Sequence, residues 1–165
     1  MLGLKLSKFS PVMGPCGTMD IIRRSTDYGI RALLQLASRG GAVTPCQELA
    51  KACGTPKSFT HKILRKLTDA RLLASHEGRP GGFRLRKNPE NITLCEIVKV
   101  LQGPPTVSRC VVNSLACDRR KTCVLSTEWS KLQHGLVGFL KGTSLADLLI
   151  ASGLVKDLRS MKVKS

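Results

Sequence analysis

Apolar residues recur at spacings of three and four in several separate stretches of the chain, the pattern of helices with one covered face. Between Arg24 and Arg39 the recurring positions are Tyr28, Ala32, Leu33, Leu36 and Ala37, and Gly40-Gly41 stops the run. Ser25 or Thr26 stands where a capping hydroxyl is wanted. A shorter stretch, 45–53, turns Leu49, Ala50 and Cys53 to one side. A third, opening at Lys57, gathers Ile63, Leu64 and Leu67 on one face and leaves Lys57, His61, Lys62, Arg65 and Lys66 elsewhere. Thr44-Pro45 and Thr55-Pro56 read as matched helix starts, a hydroxyl cap followed by proline at the first helical position. Gln47 would complete a capping box after Thr44. Gly54 supplies the left-handed residue that ends the first of the two helices.

The period then changes. Leu72-Leu73 is followed by a Gly/Pro turn from Gly78 to Gly82, and Phe83-Arg84-Leu85-Arg86 alternates like a strand. Asn88-Pro89-Glu90-Asn91 reads as a turn. Thr93 and Glu96 form a capping box ahead of Ile97, Val98, Val100 and Leu101, and Gly103-Pro104-Pro105 closes that helix. Leu125, Trp129, Leu132, Leu136 and Phe139 or Leu140 mark a long helix reaching about Lys141, and Thr143 or Ser144 can cap a short one, 145–150.

The expected fold is therefore mainly α with a small β-hairpin wing: a winged helix-turn-helix over 19–103, a cysteine-bearing loop over 104–124, and a long helix with a short C-terminal one over 125–150. Residues 1–18 hold two Pro, three Gly and no period. They are expected to be disordered, with Met19 an alternative start, and 151–165 to form a flexible basic tail. A lone amphipathic helix beside a compact winged helix leaves its apolar face uncovered. A second subunit is the expected cover, which makes the long helix a dimerisation helix and the protein a homodimer.

Charge points to the partner. The 165 residues carry 27 Lys and Arg against 11 Asp and Glu, a formal net charge of +16. Residues 19–88 alone hold 14 basic and 5 acidic side chains. Such a surplus concentrates polyanions, and beside a helix-turn-helix pattern the polyanion is double-stranded DNA. The N-terminal part of the second helix of such a motif meets base edges in the major groove, which nominates Lys57, Ser58, His61 and Lys62. In the wing, Arg79 beside Pro80, Gly81 and Gly82 suits the narrow minor groove, with Gly81 letting the backbone come close. Arg84 and Arg86 share one strand face and are placed to meet phosphate. Arg65 and Lys66 reach phosphate or solvent. Aromatic content of 4% leaves few stacking platforms for single-stranded RNA. No stretch approaches the apolar length of a membrane span and the N-terminus lacks the apolar core of a signal peptide, so a cytoplasmic protein without membrane contact is expected.

Seven cysteines, an odd number, do not suit a secreted disulfide framework. Cys46, Cys53 and Cys95 fall in helical patterns and read as packing residues; Cys16, on the tail, has no assigned role. Cys110, Cys117 and Cys123 are different: three thiols spaced x6 and x5, with Arg109, Arg119, Arg120 and Lys121 to favour thiolates. Thiolates of this kind hold an iron–sulfur cluster, zinc or copper(I), or serve as redox-active thiols. The spacing is wider than the close pairs of a structural zinc site and suits a cluster; zinc is the runner-up, and unliganded thiols remain open. A thiol oxidoreductase would want a C-x2-C pair, which is absent from the chain. No catalytic residues are assigned.

Taken together, STDYGIRALLQLA (25–37), the T-P-x-S-F helix start, EGRPGGFRL (77–85), NITLCEIVKVLQG (91–103) and the three-cysteine loop resemble the bacterial family of iron–sulfur cluster regulators and nitric-oxide-sensitive repressors (IscR/NsrR type). The resemblance runs from Met19 to about Ile150. It implies a dimeric winged-helix transcription factor, often a repressor, that binds a palindromic operator and holds a cluster on Cys110, Cys117 and Cys123, of two or four irons. It also brings in Asp27 as a fourth ligand, at the place where some members use an acidic residue of the first helix; a first-turn acid favoured by the helix dipole is the plainer role for it. The family's usual x5 and x5 spacing is x6 and x5 here. Ser126 stands where one branch has a ligating histidine, and His134, further along the long helix, is read as a surface or packing residue.

Overall fold

In the computed structural model, which describes residues 21–78, 81–108 and 123–154, the first periodic stretch forms α1, Arg24–Ala37, with Ala32, Leu33, Leu36 and Ala37 buried. Next come α2, Cys46–Cys53, and α3, Lys57–Asp69, then a two-stranded antiparallel hairpin of β1, Leu73–His76, and β2, Gly82–Leu85. Its register runs from Leu73 opposite Leu85 to His76 opposite Gly82. Thr44 bridges Phe83, so the segment before α2 lies along the outer edge of the hairpin. A 3-10 turn, Pro89–Asn91, leads into α4, Leu94–Gln102. After the cysteine segment come α5, Val124–Gly142, and α6, Leu145–Ala151.

Leucines and isoleucines from every part of the winged helix meet in one core: Leu33 and Leu36 of α1, Leu49 of α2, Leu64 and Leu67 of α3, Leu73 and Leu85 of the hairpin, Ile97 of α4. Each fully buried side chain of this size stabilises the fold by about 1.5–3 kcal/mol. Leu145 and Leu149 of α6 join them, because Leu145 N–H donates to the Ile92 carbonyl and Leu94 N–H to that of Thr143. α1 and α4 approach closely at Gly29, where a Cβ would stand 2.2 Å from Leu101 Cδ1. Gln102, at the end of α4, ties down the start of α1: its Oε1 accepts from Arg23 N–H at 2.9 Å and Thr26 Oγ at 2.8 Å, and its Nε2 donates to the Ile21 carbonyl at 2.9 Å.

Several helix ends follow the sequence expectation. Thr93 and Glu96 form a reciprocal capping box at α4, and Gly54 ends α2 with φ 64°. Ser144, paired with Asp147, caps α6; its hydroxyl and backbone N–H hold the Asp147 carboxyl below the usual carboxylate range.

Three expected starts are corrected. Pro45 and Pro56 are themselves the N-caps of α2 and α3, extended at ψ 142° and 140°, and neither helix has a side-chain cap. Thr44 is one residue too early because its backbone pairs with Phe83, and no capping box joins it to Gln47. The Thr55 hydroxyl pairs with that of Thr60 at 2.7 Å instead. In α1 the N-cap is Arg23, and Thr26, a candidate cap, lies in the first turn, where its hydroxyl is taken by Gln102. The expectations for residues 1–18 and for most of the basic tail fall outside the described residues.

Candidate nucleic-acid interface

The sequence of α3 divides the helix into an inner face, Thr60, Ile63, Leu64 and Leu67, and an outer one on which Lys57, Ser58, His61, Lys62, Arg65 and Lys66 are all exposed. α2 packs behind α3, and the core leucines fix the helix so that its charged face turns to solvent. Lys57, His61 and Arg65 line one wall of a groove of about 650 Å³ whose other wall is the hairpin, with Ser75, His76 and Gly81. The His61 ring meets Phe83 edge-on, centroids 6.1 Å apart, which ties the outward face of α3 to the wing. On the opposite flank Phe59 meets Tyr28 of α1 edge-on at 5.9 Å.

The hairpin owes its shape to glycine at three places. Gly78 has φ 101°. A Cβ on Gly81 would stand 2.6 Å from the Gly78 carbonyl oxygen, and one on Gly82 2.3 Å from that of Thr44. Arg84 lies on β2 and donates from Nε to Nε2 of His76 across the hairpin at 2.8 Å. That bond requires His76 to be neutral with its proton on Nδ1. It leaves the rest of the Arg84 guanidinium free to donate to a second acceptor. Arg86 is exposed just past the strand. Arg79 lies outside the described residues.

Of the residues proposed as cluster ligands, Cys110 and Cys117 are outside the described residues. Cys123 is the N-cap of α5 and half-buried. Asp27 is in the first turn of α1, its side chain about half exposed and paired with Arg31 at 2.9 Å, so ligation by Asp27 requires giving up that ion pair. Both residues are accessible oxygen or sulfur donors of the kind a cluster takes. Among the described residues no three His, Cys, Asp or Glu side chains converge on a metal position. Burial pushes the Cys46 thiol up, against a lowering by Lys57. Burial also pushes up the Cys53 thiol, with Arg31 opposing and Asp27 adding. Both are thereby poor thiolates, in keeping with a packing role. His134 is exposed, its Nδ1 2.7 Å from the Ser130 carbonyl.

Between these two regions lies a feature that the sequence pattern does not signal. Gln133 of α5 accepts from Val107 N–H at 3.0 Å and donates to the Pro105 carbonyl at 2.8 Å. Its carboxamide thus pairs with the backbone as a neighbouring strand would, and fastens the chain that enters the cysteine segment onto the helix that leaves it. Phe59 is not among the residues that the sequence nominates as base-facing; four residues before Ile63, it sits at the edge of the apolar face of α3, and its exposure shows only in the structure.

A family model described as Rrf2, iron-dependent transcriptional regulator, matches residues 22–151. The chain belongs to the Rrf2 family. One relative, from Mycobacterium tuberculosis and provisionally described as an HTH-type transcriptional regulator, is 32% identical over 132 residues, 79% of this chain and 81% of the relative. The structure of T. potens IscR is similar at TM-score 0.64 and 26% identity, over 79% of this chain and 87% of that one. That of CymR, the global cysteine regulator of B. subtilis, matches at TM-score 0.68 and 24% identity, over 79% and 96%. The helices and hairpin are thus those of a winged-helix Rrf2 regulator, and regulation of transcription through DNA binding is what the family does. The relatives just described are named as regulators. No described helix is long and apolar enough to cross a membrane.

Proposed function

We propose that this Rrf2 chain is a homodimeric, cytoplasmic regulator, acting as a repressor, that grips a palindromic operator and changes its grip with the state of an iron–sulfur cluster. The observation that carries the reading is the outward face of α3. Lys57, Ser58, His61 and Lys62 stand exposed on the helix that the hairpin and α2 hold in place. In this reading those four residues meet base edges, Arg79 and Gly81 meet the minor groove, and Arg84 meets a phosphate.

Cys110, Cys117 and Cys123, with Asp27, are the ligand set, and the family description as iron-dependent supports it. A bound cluster would supply a centre whose charge and integrity respond to oxidants and nitric oxide. The protein's part is mechanical. Gln133 fastens residues 105–107 to α5, so a change in the cysteine segment pulls on the helix that sets the separation of two copies of α3. Half-sites on a palindrome must match that separation, so the coupling is expected on the usual allosteric scale of about 1–3 kcal/mol. Anaerobically purified protein, analysed for iron, sulfide and visible absorbance, tests the cluster. A coloured protein that loses its absorbance in Cys117→Ala but stays folded is the expected result. A colourless protein with stoichiometric zinc refutes it.

One second reading has an observation behind it. The likeness to a regulator described by cysteine rather than by iron favours a regulator of the same fold whose thiols work without a cluster. Unchanged DNA affinity on removal of iron, together with a change on thiol oxidation, selects that reading.

A further inference from the structure

Phe59 lies in the first turn of α3, between the proposed base-facing Ser58 and the buried Thr60, and is 36% exposed. A single exposed apolar side chain needs no explanation by itself. Two things set this one apart. It stands at the N-terminal end of the recognition helix, the part that enters the major groove, where the apolar face that holds Ile63 borders the exposed side of Lys62 and Lys66. And its ring is not loose: Tyr28 meets it edge-on, with the planes at 90° and the centroids 5.9 Å apart, a geometry that orients an aromatic ring.

A phenyl ring has no atom with which to hydrogen-bond a base edge or neutralise a phosphate. The apolar group that a base pair presents in the major groove is the C5 methyl of thymine. We infer that Phe59 is a specificity-determining residue that contacts a thymine methyl in each half-site, beside the polar readout by Ser58 and Lys62. The inference rests on α3 reading DNA as proposed above.

The test uses the full chain. Duplexes are selected from a random-sequence library, and each thymidine of the enriched site is replaced singly by deoxyuridine, which removes the methyl and nothing else. Kd is measured at one fixed salt concentration. At one thymine per half-site the native protein is expected to lose about fourfold in affinity, the worth of one buried methyl. Phe59→Gln is expected to bind the two duplexes equally there, and Phe59→Leu, which keeps an apolar contact with Tyr28, to lose less than fourfold. Absence of a methyl effect at every enriched thymine overturns the inference without recourse to a variant. So does a methyl effect that survives unchanged in Phe59→Gln and Phe59→Leu. If no sequence is enriched at all, base reading by α3 fails as a whole, which is a different result from a selected site indifferent to the methyl.

Discussion

Leu33 of α1 is fully buried and Leu132 of α5 is 51% exposed, although both sit in helical patterns of the same kind. The winged-helix core covers its own apolar faces. α1 lies close on α4 at Gly29, α6 returns to the 3-10 turn, and Gln102 draws in the chain ahead of α1. α5 has a single fully buried residue, Leu140, in 19, and leaves Val124, Leu125, Trp129, Leu132 and Phe139 in contact with water. An apolar period therefore states that a face is to be covered, and the rest of the chain decides whether it can be covered from within. On α5 the positions 125, 129, 132, 136 and 139 are spaced alternately four and three apart, the seam of a coiled coil. We take a second copy of α5 as the occupant of that seam.

The largest effect separates the two regions most sharply. Leu132→Asp places a charge in the proposed seam, at a penalty of about 3–5 kcal/mol for each copy once buried without a partner. Sedimentation is expected to show monomers at micromolar concentration, with far-UV circular dichroism of the core retained. A dimer that survives Leu132→Asp removes the seam from the interface. Next in size is Leu33→Ala, an apolar truncation in the other region. It is expected to lower the unfolding free energy by about 2–5 kcal/mol, because the site is closed on all sides. Denaturant titration at a constant protein concentration measures it, and a loss below about 1 kcal/mol would mean that the core relaxes around the cavity.

The two regions also differed in how far the sequence disclosed them. Elements were legible where the signal is local: the periods of α1, α3 and α5, the alternation of β2, the Thr93–Glu96 box. Helix starts failed where a distant residue claims the local one. Thr44 is spent on Phe83 and Thr26 on Gln102, 76 positions away, and no window of the sequence carries that information. In the same way the candidate interface was legible as a run of basic and polar residues on α3, whereas the Tyr28–Phe59 and His61–Phe83 ring contacts depend on how helices and hairpin meet. Gln133 is the extreme case, since a glutamine on a helix predicts nothing until the chain at 105–107 is seen beside it.

That glutamine joins the winged-helix core to α5 through the chain at 105–107. Gln133→Leu removes two hydrogen bonds to the backbone at Pro105 and Val107 while keeping the side chain's bulk. The expected loss is about 1–3 kcal/mol, local to the segment between α4 and α5. Hydrogen exchange at the Val107 amide should speed up while Leu33 and Leu64 amides keep their protection. Equal acceleration in both places would show that the core and α5 open as one unit.

The smallest effect lies where stability and charge conflict. α2 and α3 end alike: Thr55 N–H donates to the Ala50 carbonyl at 3.0 Å, and Leu72 N–H to that of Leu67 at 2.9 Å, each past a residue of positive φ. At α2 that residue is Gly54. At α3 it is Arg71, φ 60°, the one non-glycine residue with positive φ among those described. A side chain there costs about 1–2 kcal/mol, and glycine gives back about half of the relief in unfolded-state entropy. Arg71→Gly is thus expected to stabilise the core by about 0.5–1 kcal/mol in thermal or denaturant unfolding. Arg71 is exposed in the link between α3 and the hairpin, and we propose that it meets a phosphate there. The same variant should reduce the salt dependence of DNA binding by the dimer by about 1.8 in the logarithmic slope, about 0.9 for the counterion released by each of the two subunits. Arg71→Lys keeps both the strain and the charge and should change neither quantity. A stabilised Arg71→Gly with an unaltered salt slope would leave the strained arginine without a role in binding and confine the phosphate contacts to residues within α3 and the wing.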